Sequence, residues 1–263
     1  MTTLTYPVAD SATMLRRNLK RALRYPGLTV IVAAMPIVFL LLFVYVFGGT
    51  LGAGLGAPSG GRAEYLAYVV PGILVLAMTG GAQGTAIGIA MDMTEGIIAR
   101  FRTMSIARAA VLTGHVVGAV IQTLAGLVLV VAVALLVGFR PDATPLEWLA
   151  VIGVLAMTSF ALSWLSVAMG LAAKSGESAS NLPMPLILLP FLGSGFVPTE
   201  SMPPGLQWFA EHQPFTPIID TLRDLLAGRD PGADLWWAIG WCVLITALSY
   251  VWARRLFSQV RAG

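Results

Sequence analysis

Two uninterrupted apolar runs limit what this chain can become. Tyr65–Ala90 and Ala109–Phe139 contain no Asp, Glu, Lys or Arg. A helix needs about 20 residues at 1.5 Å each to cross the roughly 30 Å of hydrocarbon in a bilayer, and both runs exceed that. The chain is 57% hydrophobic and only 11% charged, whereas a soluble domain carries about 25% charged residues. There is too little polar surface to wrap such runs in water. The fold class is therefore an all-α membrane protein, because a helix satisfies its own backbone in lipid.

The basic excess, 16 Lys and Arg against 13 Asp and Glu, does not point to nucleic acid. These residues cluster beside apolar spans rather than along a groove-binding face, as an orientation signal does. The single cysteine, Cys242, excludes an intramolecular disulfide and a Cys-based metal cluster and reads as a small core residue. The first apolar run starts too late, and is too long, for a cleaved signal peptide, so insertion is expected to rely on an uncleaved first helix.

In chain order, 1–27 form a cytoplasmic segment, 28–254 the membrane domain and 255–263 a short cytoplasmic tail. Leu15, Leu19 and Leu23 recur every four residues, with Arg16, Arg17, Lys20, Arg21 and Arg24 on other faces. That is a basic amphipathic helix in the headgroup region, capped by Asp10 or Ser11; a solvated basic tail is the plainer reading. Six spans are expected near 28–48, 66–90, 109–138, 147–173, 181–198 and 235–254. The fifth is short and contains Pro183, Pro185 and Pro190, so it should be kinked or broken. A Gly-rich loop, 48–61, separates the first two.

Charge tests the map. With the N-terminus inside, twelve of sixteen basic residues are cytoplasmic and nine of thirteen acidic residues lie outside, as the positive-inside rule requires. Both termini are then cytoplasmic. No acidic or basic side chain falls deep in a span, whereas gradient-driven pumps and carriers keep such charges because they do the work. His115 is the one titratable group in span three and reads as structural or interfacial. Gly80, Gly84 and Gly88, like Gly114 and Gly118, stand four residues apart and are expected to mark close helix contacts within the bundle or across a dimer.

Between spans five and six, 198–234 is too patterned for a disordered loop. Pro203-Pro204 should start a short helix presenting Leu206, Trp208 and Phe209. Pro217 should open a second, with Ile218, Ile219, Leu222, Leu225 and Leu226 on one stripe and Gly228 as its stop. The pattern reads as two short amphipathic helices dipping into the outer leaflet, or as an ordinary structured loop.

Catalytic motifs are missing. The only lysines, Lys20 and Lys174, lie in no G-x-x-x-x-G-K-[ST] run, and neither H-E-x-x-H nor G-x-S-x-G occurs. No His/Asp/Glu cluster has metal-ligand spacing, so no cofactor is expected on this chain. Gly193-Ser194-Gly195 is read as a point of backbone flexibility. The charge-rich segment Met91–Arg108, with Asp92, Glu95, Arg100, Arg102 and Arg108, must therefore act by contact. Acids first and arginines later suit a short helix along the membrane, capped by Asp92 or Thr94. Physics alone leaves two readings open: a helix that takes a push from a soluble partner, or a loop whose arginines only set orientation.

At these residues the chain resembles a known family. Glu95-Gly96, Arg100-Phe101-Arg102, Met104, Ile106, Arg108 and Gly114 look like the cytoplasmic loop of type-2 ABC transporter permeases, especially the daunorubicin-resistance type. Phe196-Val197-Pro198, Met202-Pro203, Gln213-Pro214, Thr216-Pro217, Asp220, Leu222-Arg223 and Gly228 resemble the block before that family's last span. Ser105 departs from it, standing where relatives carry proline in an M-P-I-x-R run, which lets the loop helix continue a turn further.

The resemblance implies a permease subunit of a drug or lipid exporter in a bacterial plasma membrane. It would pair with a second permease, homo- or heteromeric, and take its power from a separate ATP-binding subunit that holds the ATP and Mg. The implied coupling residues are Asp92, Glu95, Gly96, Arg100, Phe101, Arg102 and Arg108, aided by the N-terminal helix. Phe196, Pro198, Pro203, Pro214, Pro217, Asp220 and Arg223 mark the outer re-entrant segment. The cargo would be a hydrophobic drug, lipid or glycolipid. Two other classes remain at this point: a gradient-driven carrier or channel, and a non-transporting membrane scaffold.

Overall fold

The computed structural model describes residues 26–55, 61–94, 108–173 and 175–259. The N-terminal basic segment and residues 95–107 lie outside them. Among the described residues the chain is helical throughout and has no strand. Helix α1 (Pro26–Leu42) runs through a π-helical turn (Phe43–Phe47) into α2 (Gly48–Gly54). Three long helices follow: α3 (Arg62–Thr94), α4 (Arg108–Val137) and α5 (Pro145–Ala172). Short pieces come next, namely α6 (Gly176–Asn181), α7 (Met184–Leu188), a 3-10 turn (Leu189–Leu192) and another (Thr199–Ser201). Helices α8 (Pro204–His212), α9 (Phe215–Leu226) and α10 (Gly232–Gln259) complete the chain.

Five helical stretches are long and apolar enough to cross a membrane: Ala33–Gly54, Arg62–Met93, Leu112–Val137, Pro145–Ala172 and Gly232–Phe257. The expected fifth span is not one helix. Pro183 and Pro185 cannot donate to the preceding turn, and the stretch breaks into α6, α7 and a 3-10 turn. The Gly-rich 48–61 loop is also shorter than expected, since Gly48–Gly54 is helical and extends the first span.

Local signals set the ends. Thr144 and Glu147 form a reciprocal capping box at the start of α5, with Pro145 in the first helical position. Gly138 (φ +116) follows α4, and Gly228 (φ +66) stops α9 where an L side chain would be strained. The Asp142 N–H donates to the Leu226 carbonyl, tying the α4–α5 connection to the end of α9.

Helix α3 is the axis of the bundle. Of its most apolar window, 78% is buried, against 17% for α4 and α10. Tyr65, Leu66, Val69, Ile73, Leu74 and Met78 join residues of α5 and α9 in the main core. A smaller, separate cluster at the Thr94/Arg108 end joins Ile89, Leu112, Val116, Trp164, Val167, Leu171 and Ala253. Around the outside, Val128, Leu136, Leu149, Trp236, Trp237 and Leu248 are exposed. Such a belt is a liability in water and the normal solvent face in lipid.

Glycines show where backbones meet within the chain, and the repeat on α3 is not among those places. A Cβ added at Gly80, Gly84 or Gly88 would meet nothing within 4 Å. The close approaches are at Gly72, whose Cβ would strike the Gly195 carbonyl, and at Gly170, whose Cβ would lie 2.7 Å from the Ala86 carbonyl. A four-residue repeat identifies one face of α3, while the packed face lies elsewhere on the same helix. Gly72→Ala is therefore expected to destabilise the purified chain by about 1–3 kcal/mol through overpacking. Gly84→Ala should be neutral or stabilising by up to about 1 kcal/mol from helix propensity. Thermal midpoints in detergent check this, and equal shifts for the two variants would contradict it.

Candidate functional site

The broken stretch after α6 exposes carbonyls inside an apolar bundle, where each unsatisfied one is costly. Side chains from α3 and α9, and from the turn before α9, satisfy three of them. The Tyr65 hydroxyl donates to the Phe196 carbonyl at 3.1 Å. Gln213 Nε2 donates to the Leu189 carbonyl at 3.3 Å, and Arg223 Nη2 donates to the Ser194 carbonyl.

Arg223 is the hub. Its Nη1 pairs with Asp220 Oδ1 one turn back on α9. Its Nε donates to the Tyr68 carbonyl at 3.4 Å, and its guanidinium lies 4.0 Å over the Tyr68 ring. The Ser194 hydroxyl closes the network by donating to Asp220 Oδ1 at 2.8 Å. Burial pushes the Asp220 carboxyl above its usual range, and Arg223 and Ser194 pull it back down.

Gly193 and Gly195 are packed close, not set for flexibility. A Cβ at Gly193 would strike Gln213 Nε2, and one at Gly195 would lie 2.7 Å from the Pro190 carbonyl. Phe196 is buried, stacked on Phe191 with centroids 4.4 Å apart and 4.6 Å from Phe43. Pro198 leads into the second 3-10 turn, where its carbonyl accepts from the Ser201 hydroxyl at 2.7 Å. Pro203 and Pro214 immediately precede α8 and α9.

Helix α9 differs from expectation in two respects. It begins at Phe215, so Pro217 is its third residue rather than its opener. Its apolar stripe, Ile218, Ile219, Leu222, Leu225 and Leu226, is buried in the main core. The stripe faces protein because α3, α5 and α10 offer a better-packed partner than loose acyl chains. Helix α8 does present Leu206, Trp208 and Phe209 outward, as expected.

At the opposite end of α3, Asp92 is only 4% exposed and its Oδ2 lies 3.3 Å from His115 Nε2 on α4. Asp92 and Thr94 lie in the last turn of α3, and the loop helix they were expected to cap lies outside the described residues. Arg108 is the first described residue of α4. Glu95, Gly96, Arg100, Phe101 and Arg102 lie outside the described residues, as do Arg16, Arg17, Lys20, Arg21 and Arg24.

Tyr65 and Tyr68 were assigned no role from the sequence, His115 was read only as structural or interfacial, and Ser194 and Gln213 were named without these contacts. No local signal marked the Tyr68 contact, while a histidine and an aspartate on successive spans were the signal for the Asp92–His115 pair. Among the described residues, no group of three or more His, Cys, Asp and Glu is placed to hold a metal ion. Each polar group in the Arg223 network is committed to another, so the arrangement holds backbone in place.

Removing Arg223 strands both a carboxylate and two carbonyls. Arg223→Ala is expected to cost about 3 kcal/mol, and Arg223→Lys should recover little, because an ammonium cannot reproduce the three-directional fork. Thermal unfolding in detergent measures both. A lysine variant as stable as the parent would contradict the assigned geometry.

The ABC-2 type transporter family matches residues 11–227, which include both the charged segment and the broken stretch. Daunorubicin resistance ABC transporter permease protein DrrB1 of Streptomyces coeruleorubidus is 29% identical over 242 residues, 91% of this chain and 81% of that protein. Probable doxorubicin resistance ABC transporter permease protein DrrC of Mycobacterium tuberculosis is 25% identical over 214 residues, 80% and 75% of the two chains. The family expected from the loop and pre-final-span motifs is the family found, and this multi-pass membrane chain belongs to the ABC-2 type transporters.

Proposed function

We propose that this chain is the membrane permease of an exporter driven by a separate ATP-binding subunit. The observation that carries the reading is the family match across 11–227, joined to a sequence without a Walker motif. In this reading the stretch 176–198 makes a sixth crossing as a broken span, both termini face the cytoplasm, and the membrane is the bacterial plasma membrane. Twelve of the sixteen basic residues then lie inside. The partner ATPase, holding ATP and Mg, docks on Glu95, Gly96, Arg100, Phe101, Arg102 and Arg108 and on the basic N-terminal helix with Arg16, Arg17, Lys20, Arg21 and Arg24. Asp92 serves that surface from behind. A second permease completes the transporter, and closure of the ATPase pair rocks the bundles to alternate access.

The cargo is a hydrophobic drug, lipid or glycolipid. Two relatives named for daunorubicin and doxorubicin resistance make daunorubicin the first compound to try. The absence of acidic or basic residues deep in the expected spans supports a lipophilic cargo and weighs against a gradient-driven carrier. Membrane lipids surround the exposed apolar belt, and nucleic acid has no part.

The test is co-expression with a candidate ATP-binding subunit, copurification, and daunorubicin uptake into inside-out vesicles on ATP addition. Glu95→Ala and Arg102→Ala are expected to lower transport per ATP hydrolysed by about tenfold while leaving membrane insertion intact. Uptake driven by an ion gradient without nucleotide would contradict the reading, as would normal export by both variants.

A further inference from the structure

The Asp92–His115 contact joins the two helices that lead into and out of 95–107. Asp92 lies in the last described turn of α3 and His115 two turns into α4. Their side chains are 5% and 12% exposed and meet at 3.3 Å. A buried carboxylate is costly unless paired and hydrogen-bonded. A pure packing contact at this position would be met by two aliphatic residues at no such cost.

The pair borders the smaller hydrophobic cluster. Ile89 and Met93 lie on the same end of α3 as Asp92, and Leu112 and Val116 flank His115 on α4. Val167 and Leu171 of α5 and Ala253 and Leu256 of α10 complete that cluster, which is separate from the main core. Gly170 of α5 comes so close to Ala86 and Ile89 that it has no room for a Cβ. Four long helices are thus packed into one block at the Thr94/Arg108 end. The Asp92–His115 pair ties α3 to α4 at that end.

We propose that Asp92 and His115 form a clasp that makes the ends of α3 and α4 move as one body, and that this clasp converts motion of the docked ATPase into motion of the bundle. Without it, a push on 95–107 splays the two helices and is lost before it reaches α5 and α10. Asp92 and His115 are positioning residues in this scheme and touch neither cargo nor nucleotide. The inference rests on the export reading above.

The experiment uses the complete permease–ATPase complex in inside-out vesicles. Copurified ATPase, ATP hydrolysis and daunorubicin uptake are measured for Asp92→Asn, His115→Gln and the exchanged pair Asp92→His/His115→Asp. Both single variants should keep the ATPase bound and hydrolysing, with uptake per ATP falling about tenfold. The exchanged pair should recover most of that loss. A covalent tie should recover it too, using Asp92→Cys/His115→Cys bridged by a short bifunctional methanethiosulfonate in a Cys242→Ala background. Unchanged uptake per ATP in both single variants would overturn the clasp, as would failure of both the exchanged pair and the covalent bridge to restore it. A parent complex that binds no ATPase and gains no uptake from ATP would instead sink the export reading, so the two failures are distinguishable.

Discussion

The structure depends on one constraint of lipid as a solvent: backbone groups that leave a helix must find partners within the protein. Residues 189–196 break that helix regularity in the middle of an apolar bundle, and the surrounding side chains answer carbonyl by carbonyl. Tyr65, Gln213 and Arg223 supply the donors, while Gly72, Gly193 and Gly195 supply the space. Asp220, a ring face and two carbonyls surround the Arg223 guanidinium there. These polar residues are best understood as the fittings of the broken stretch.

The two ends of α3 follow different physics. Toward Tyr65 it is fixed by directional hydrogen bonds and a large common core with α9. Toward Thr94 it belongs to a smaller apolar block stitched to α4 by Asp92 and His115. The middle of the helix presents Gly80, Gly84 and Gly88, which no neighbour in the chain crowds. A helix held firmly at both ends and loosely crowded on one mid-face is suited to carry displacement along its length.

Much of this was legible in the sequence. Charge-free runs located four of the five long helices to within a few residues, because length and apolarity are what a bilayer selects. Pro183, Pro185 and Pro190 announced the break, and Gly228 the end of α9. Pairing across helices was not legible. Asp92 read as a member of the contact segment or a helix cap because its partner lies on another helix, and no local pattern encodes which face α3 turns to α4. The α9 stripe was visible, but amphipathicity says only that one face is apolar, not whether protein or lipid covers it. The glycine repeat is limited in the same way: spacing defines a face, and packing assigns its neighbour.

The central claim is that a separate ATPase acting at the Thr94/Arg108 end moves the broken stretch at the other end. Hydrogen exchange on the complete complex in nanodiscs, with and without ATP and vanadate, tests it directly. The account expects the amides of Leu189–Phe196 and of Ile89–Met93 to change protection together, and only when the ATPase is present. Exchange at Leu189–Phe196 that ignores nucleotide, or that responds without the ATPase, would contradict it.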